Sequence, residues 1–360
     1  MDENNCEKRN GRNYMKAIFK ATKAVGLEIG DFEPSVVGPK DVKVKVIASS
    51  ICGSDLPIYY WDDPWTIDTI QLGQIIGHEF CGEILEIGDY VDGLKIGDYV
   101  AAEGHIGCGE CFHCKSGLAH ICPSQKLIGF THPGGFAEYV VLPAKNIIKL
   151  PRSIKPKFGT ILDPIGNAVH ATIQSTNLTN KSILVTGAGP VGLFTIVLAK
   201  LCGASTIVAT DIQDRRLEIA KQIGADIVLN PEKDDIEDFI SKSFVRTGGV
   251  DAFFEMSGNQ NALVQGFSSL RPGGEAILLG LPKEPIEFDF SNLLVGKGLR
   301  VYGIIGRLQF STWQIAIDII PRIENSLDKI VTEELDFSLY KKGFELMKRG
   351  ECGKVVLTFN

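Results

Sequence analysis

Hydrophobic and polar positions change rhythm once along this chain. Over the first half, short strand-like runs alternate with glycine and turn residues, and Lys43-Val44-Lys45-Val46-Ile47 alternates polar and apolar with a period of two, as a half-buried strand does. From about Lys181 the pattern becomes apolar strand candidates at 183–186, 206–210, 227–229, 252–255, 276–280 and 301–305, separated mostly by segments of helical period. Strand-helix alternation of that kind predicts a parallel sheet with helices on both faces. Asp214 is placed to cap a helix whose Leu217, Ala220 and Ile223 share a face and which stops at Gly224. Asn259 is placed to cap another, ended by Pro272-Gly273-Gly274. A further helix is expected around 312–320 and a closing strand at 354–357.

These patterns divide the chain into a polar, charged and flexible leader at 1–14, a strand-rich domain at 15–166, a doubly wound domain at 167–305, and a tail at 306–360 that returns to the first domain. The length of 360 residues suits two domains with real hydrophobic cores. With 44% hydrophobic and 22% charged residues, and no apolar run long enough to span a bilayer, neither disorder nor a membrane role is expected. The net charge of −7 leaves no excess of cations for a nucleic-acid backbone. No secretory signal precedes Met15, so a cytoplasmic location is expected. In that setting the nine cysteines, four of them crowded into one short stretch, favour metal ligation over disulfides.

The most legible chemistry lies where the apolar run 183–186 enters Gly187-Ala188-Gly189-Pro190-Val191-Gly192 and then an apolar helix. Gly187 permits a tight turn, Gly189 lets a pyrophosphate approach the backbone, and Gly192 allows close helix-strand packing at a helix N-terminus whose free amides attract anions. The next strand ends at Asp211, whose carboxylate suits ribose hydroxyls and repels a 2'-phosphate, so NAD is preferred to NADP. Arg215 and Arg216 follow closely and are placed to soften that preference.

Cys108, Cys111, Cys114 and Cys122, with spacings of two, two and seven, suit a loop at 103–125 wrapped round one structural zinc. An iron-sulfur cluster fits less well, because the run that it resembles has three residues before its last cysteine. His113 and His120 lie inside this lobe and are read as exposed bystanders. Cys52 in Cys52-Gly53-Ser54-Asp55, His78-Glu79 and Asp163 form a second, dispersed set. Each has an ordinary alternative: a small core residue, a structural imidazole, a surface charge and a turn residue before proline. Spacing alone leaves open whether they share a metal.

Together, Cys52-Gly-Ser-Asp, Gly77-His78-Glu79, the cysteine lobe, Gly135-Phe136-Ala137-Glu138-Tyr139 and the glycine loop resemble the zinc-dependent medium-chain dehydrogenase superfamily over residues 15–360. Glu103-Gly104-His105-Ile106, Asp163-Pro164-Ile165-Gly166-Asn167-Ala168-Val169-His170 and Gly306-Arg307 with Phe310 and Thr312-Trp313 are most similar to its L-threonine 3-dehydrogenase branch. The resemblance implies a GroES-like, partly open β-barrel catalytic domain beside an α/β Rossmann domain, and a homotetramer. It implies a catalytic zinc on Cys52, His78 and Glu79, with Asp163 at or just beyond the ligand shell assisting proton movement, and a structural zinc in the lobe. NAD contacts are implied for Val191, Asp211, Arg216, Leu279-Gly280-Leu281 and Ile304-Ile305. His105 is implied to shape preference for an amino-alcohol, and Ser54 to take the hydroxyl proton.

The implied reaction is NAD-dependent oxidation of a secondary alcohol, L-threonine to 2-amino-3-oxobutanoate. One position departs from that branch: five residues after Cys52, where it usually carries a relay histidine, stands Pro57, which moves no proton. A polyol, inositol or amino-cyclitol substrate therefore stays open. So does a non-catalytic nucleotide-binding role, although relatives of that kind lack the intact Cys52, His78, Glu79 set. Tyr59-Tyr60-Trp61 and Trp65 either line a substrate mouth or pack, and Arg307 and Trp313 reach either the cofactor or a neighbouring subunit.

Overall fold

The alternating segment around Val44 is the trunk of the first unit. In the computed structural model, which describes residues 8–9, 12–175 and 177–359, it forms the strand Asp41–Ile51, with Val42, Val44 and Val46 all buried. This strand pairs antiparallel with Glu79–Ile87, Tyr139–Pro143 and Lys354–Thr358. Tyr99–Ala102 and Ile147–Lys149 extend the sheet on one side and Val331–Asp336 on the other, giving seven strands. Register shifts between Lys43 and Val44 and between Val46 and Ala48 bend the sheet. The result is the partly open, GroES-like barrel that the resemblance implied. Its apolar centre contains Phe80, Ile84, Val100, Val140 and Leu142.

The second unit is a six-stranded, wholly parallel sheet. In spatial order its strands are Ile227–Leu229, Thr206–Thr210, Ser182–Thr186, Val250–Glu255, Leu270–Leu278 and Arg300–Gly303. The chain starts in the middle and winds outward both ways, so the order reverses beside Ser182–Thr186, where α/β sheets bind ligands. Helices Pro190–Leu201, Asp214–Ile223 and Gln260–Ser269 follow the strands. Asn259 caps its helix as expected, its side chain accepting from the Ala262 amide. Asp214 does not cap: it is the first helical residue, and its carboxylate instead takes Asn230 and Lys233. The helix after Asn259 stops at Ser269, and Pro272-Gly273-Gly274 lies within the next strand.

The tail differs from expectation in one respect. Residues 306–332 belong to the second unit, and only 333–349 and 354–360 belong to the first. The reason is the helix Ser311–Ile330, which packs against Asp214–Ile223 and Pro190–Leu201 through an apolar face including Trp313, Ile317 and Ile320. The leader expected at 1–14 lies largely outside the described residues; Lys8–Arg9 and Arg12–Asn13 within it pair antiparallel. Among the described residues, no helix is long and apolar enough to cross a membrane.

Candidate active site and metal centres

Cys52 follows the trunk strand, and Glu79 opens the strand paired to it, with Ser50 opposite Glu79 in the register. That pairing brings residues 27 positions apart together: one ligand atom each from Cys52, His78 and Glu79 all lie within 4.8 Å of one another. Zinc bonds of about 2.0–2.3 Å place ligands at such separations, and three protein ligands leave a position open, as catalytic sites do. The carboxylate of Glu79 tests the fit. It is buried, Ser50 and Lys354 both donate to its Oε2, and Oε1 has no hydrogen-bond partner among the described residues. A buried oxygen without a partner is costly unless an ion takes it, so thiolate, imidazole and carboxylate fit a metal here.

Asp55 organises the other two ligands. Its carboxylate is fully buried, accepts the Cys52 amide at 2.9 Å, and stands 3.4 Å from His78 Nδ1. Burial works against a charged His78, but Asp55 and Cys52 outweigh it, so with no ion bound the imidazole pKa lies well above the ordinary value, and a metal would displace the Nε2 proton. With Nδ1 turned to Asp55, Nε2 is left for the metal. Ser54 Oγ stands 3.4 Å from Nε2 and is exposed. Phe130 lies beside His78 and Trp65 beside Phe130, at ring separations of 5.4 and 5.7 Å. Trp65 is thus one step from the metal ligands, whereas Tyr59 is buried and stacked on Phe344.

Asp163 is buried on the first turn of the helix Leu162–Gln174, and the three-residue ligand cluster does not include it. His105 is oriented by Glu103, a buried carboxylate 2.7 Å from its Nδ1. Asn146 fixes that segment by donating to the carbonyls of both residues.

In the cysteine lobe, the thiols of Cys108, Cys111, Cys114 and Cys122 all lie within 4.8 Å of one another. Amides point at the sulfurs: Glu110 and Cys111 donate to Cys108 and Cys114 donates to Cys111, at 3.4 to 3.5 Å. The first two amides draw the Cys108 pKa down to about 6. His113 is half-buried and His120 is buried, not exposed as expected, because the short turn Ala119–Ile121 tucks it inward.

In the second unit, the residues expected to contact a dinucleotide gather at the carboxyl ends of the parallel strands. Gly187 adopts φ of 83°, and a Cβ on Gly192 would stand 1.9 Å from the Gly187 carbonyl oxygen, so the loop closes only with glycine at both. Gly189 and Val191 bracket the start of the helix Pro190–Leu201. Asp211 is buried just past its strand; one carboxylate oxygen accepts the Ala188 amide and the other the Gln213 amide, each at 2.8 Å. Arg216 reaches within 3.9 Å of Asp211, and its buried Nε has no hydrogen-bond partner among the described residues. Leu279 and Gly280 donate to the Glu255 carbonyl at the next strand end, and Ile304 is buried beside exposed Ile305.

Sequence reasoning assigned no role to four residues. Asp55 was visible in the Cys52-Gly53-Ser54-Asp55 run. Ser50, Lys354 and Glu255 carried no motif; Glu255 is buried and accepts the amides of Ser257 and Gly258, fixing the turn beside the glycine loop. A lysine in the apolar run 354–357 was the one available signal.

Comparison with known proteins agrees with this geometry. The alcohol dehydrogenase GroES-like domain family matches residues 38–152, and the zinc-binding dehydrogenase family matches 190–322. The L-threonine 3-dehydrogenase of Pyrococcus abyssi is 43% identical over 95% of this chain and 98% of its own. That of Bacillus subtilis strain 168 is 39% identical, with 95% and 98% covered. The solved structure of 2R,3R-butanediol dehydrogenase from Bacillus subtilis superposes with a TM-score of 0.84 at 30% identity, over 96% of this chain and 100% of that one. With a dinucleotide crevice in one unit and a thiolate-imidazole-carboxylate centre in the other, this chain belongs to the zinc-dependent medium-chain dehydrogenases, enzymes that oxidise alcohols with NAD, and is closely related to the L-threonine 3-dehydrogenases.

Proposed function

We propose that the protein oxidises L-threonine at C3 to 2-amino-3-oxobutanoate, reducing NAD to NADH and releasing one proton. The observation that carries this reading is the Cys52, His78, Glu79 cluster with a buried Glu79 oxygen left over, in a chain 43% identical to an L-threonine 3-dehydrogenase. These three residues would hold a zinc ion, which would supply a Lewis acid to lower the pKa of an alcohol hydroxyl, and Gly187, Gly189, Val191, Gly192, Asp211, Arg216, the 279–281 turn and the Ile304-Ile305 pair would hold NAD, which would supply the hydride acceptor. Ser54 receives the hydroxyl proton. Because Ser54 is an exposed residue, it passes that proton directly to water, and this is how the chain manages with Pro57 in place of a relay histidine. Asp163 assists proton movement, and His105, held by Glu103, contacts the polar end of an amino-alcohol. Cys108, Cys111, Cys114 and Cys122 hold the structural zinc. The same reading makes the protein a cytoplasmic homotetramer, to be checked by light scattering and fractionation.

Pro57 favours one competing substrate class, a polyol, inositol or amino-cyclitol. The deciding measurement is NADH formation with L-threonine against sorbitol, myo-inositol and an amino-inositol at matched concentrations. A threonine rate well above the rest is expected. No threonine rate, with turnover of a polyol, would keep the family and replace the substrate.

A further inference from the structure

Lys354 is 1% exposed in the strand Lys354–Thr358, whose next three residues are also buried. A lysine at such a position needs compensation for its desolvation, and an apolar residue of similar size would serve the barrel's stability as well or better. Its contacts are specific. Nζ stands 2.5 Å from Glu79 Oε2 and donates at 2.9 Å to the carbonyl of Ile51, the residue before Cys52. One ammonium therefore touches both segments that carry the anionic ligands. Ser50 adds its hydroxyl to the same Oε2, so this oxygen has two donors while its twin, equally enclosed, has none among the described residues. Solvation does not explain that asymmetry, because neither oxygen faces water. It is the arrangement required of a carboxylate that offers one oxygen to an ion and is held by the other.

We infer that Lys354 and Ser50 form a clamp that holds Glu79 by Oε2, ties it to the backbone ahead of Cys52, and so reserves Oε1 for the metal. Lys354 is a positioning residue: it also balances one of the negative charges that Cys52, Asp55 and Glu79 bring into the barrel. The inference rests on the reading of Cys52, His78 and Glu79 as zinc ligands.

The test uses full-length protein, stripped and reloaded with zinc, with the lobe ion as an internal reference. Affinity for the second zinc is measured by competition with a chromophoric chelator, and the visible bands of the cobalt-substituted protein report ligand geometry. Loss of such a supporting contact typically weakens metal binding about tenfold to a hundredfold. K354M should lose affinity in that range with shifted cobalt bands, S50A should lose less, and K354R should restore most of both. K354M with wild-type zinc affinity or tighter, and unshifted cobalt bands, would overturn the clamp alone. If K354M does not fold, the same result in S50A does so. A wild-type chain that binds only the lobe zinc would overturn the ligand reading and the clamp with it.

Discussion

The glycine loop and the Cys52 centre solve the same problem, holding a charged guest, by opposite means. The loop is continuous in sequence and built from backbone: Gly187 and Gly192 remove side chains so that main-chain groups come close. The Cys52 centre is assembled from segments as far apart as Ser50 and Lys354, and side chains do the holding, with Asp55 on His78 and Lys354 on Glu79. Backbone sites need particular residues to be absent. Side-chain sites need particular residues to be present and charged.

The contrast predicts that each site fails alone. C52S should lower turnover at least about a thousandfold, since the Lewis acid is lost, and leave the NAD dissociation constant, read by fluorescence titration, within a factor of two. Equal loss of both would mean that the two sites are not separate devices. The converse is G192A, whose added methyl meets the Gly187 carbonyl; NAD affinity should fall about tenfold or more, while metal analysis still finds two zinc ions per chain.

The cysteine lobe is intermediate, contiguous like the loop but made of side chains. C111S should release one zinc and lower the melting temperature by roughly 6–12 °C, from the loss of about 3 kcal/mol of metal-linked folding energy. The catalytic zinc should remain, as shown by cobalt substitution. If that ion is lost as well, the two metal sites are coupled.

The smallest effect separates stability from either site. Asp251 stands at the amino end of its strand, away from the crevice, where it binds Arg271 and the Ser182 amide at 2.7 and 2.9 Å. Burial raises its pKa, the Arg271 and Ser182 contacts outweigh that, and the net value falls below the usual carboxylate range. A lowered native pKa stabilises the fold fully above the unfolded value near 4, and the gain disappears as pH falls through the native value. D251N should therefore melt roughly 2–4 °C lower at pH 7, for about 1 kcal/mol. That gap should close as the pH drops below about 4, with zinc and NAD binding unchanged throughout. A gap that stays constant with pH would assign the effect to packing.

The same contrast decides what the sequence revealed. The parallel sheet, its order of strand and helix, and Asp211 were legible because each depends on neighbours in the chain, and so was the lobe. Cys52, His78 and Glu79 were visible as residues but not as a set until a resemblance joined them, since the joining depends on the register of Asp41–Ile51 against Glu79–Ile87. Lys354 was silent because period-two reasoning assigns a lysine in a strand to solvent, and only the folded chain shows that this strand is paired along both edges and buried on both faces. The fate of residues 306–332 was misjudged for a related reason. The apolar face of the helix Ser311–Ile330 was readable, but not the surface it would choose.

The position of Lys354 also orders events during synthesis. Ile51 and Glu79 leave the ribosome roughly 300 residues before their ammonium partner, an interval of about 15–60 s at ordinary elongation rates. The trunk strand therefore waits with residues 48–51 of one edge unpaired, and an incomplete barrel holds Glu79 without its countercharge. A nascent chain stalled before residue 354 should be protease-sensitive in the barrel while the Rossmann sheet, complete by Gly303, is already protected.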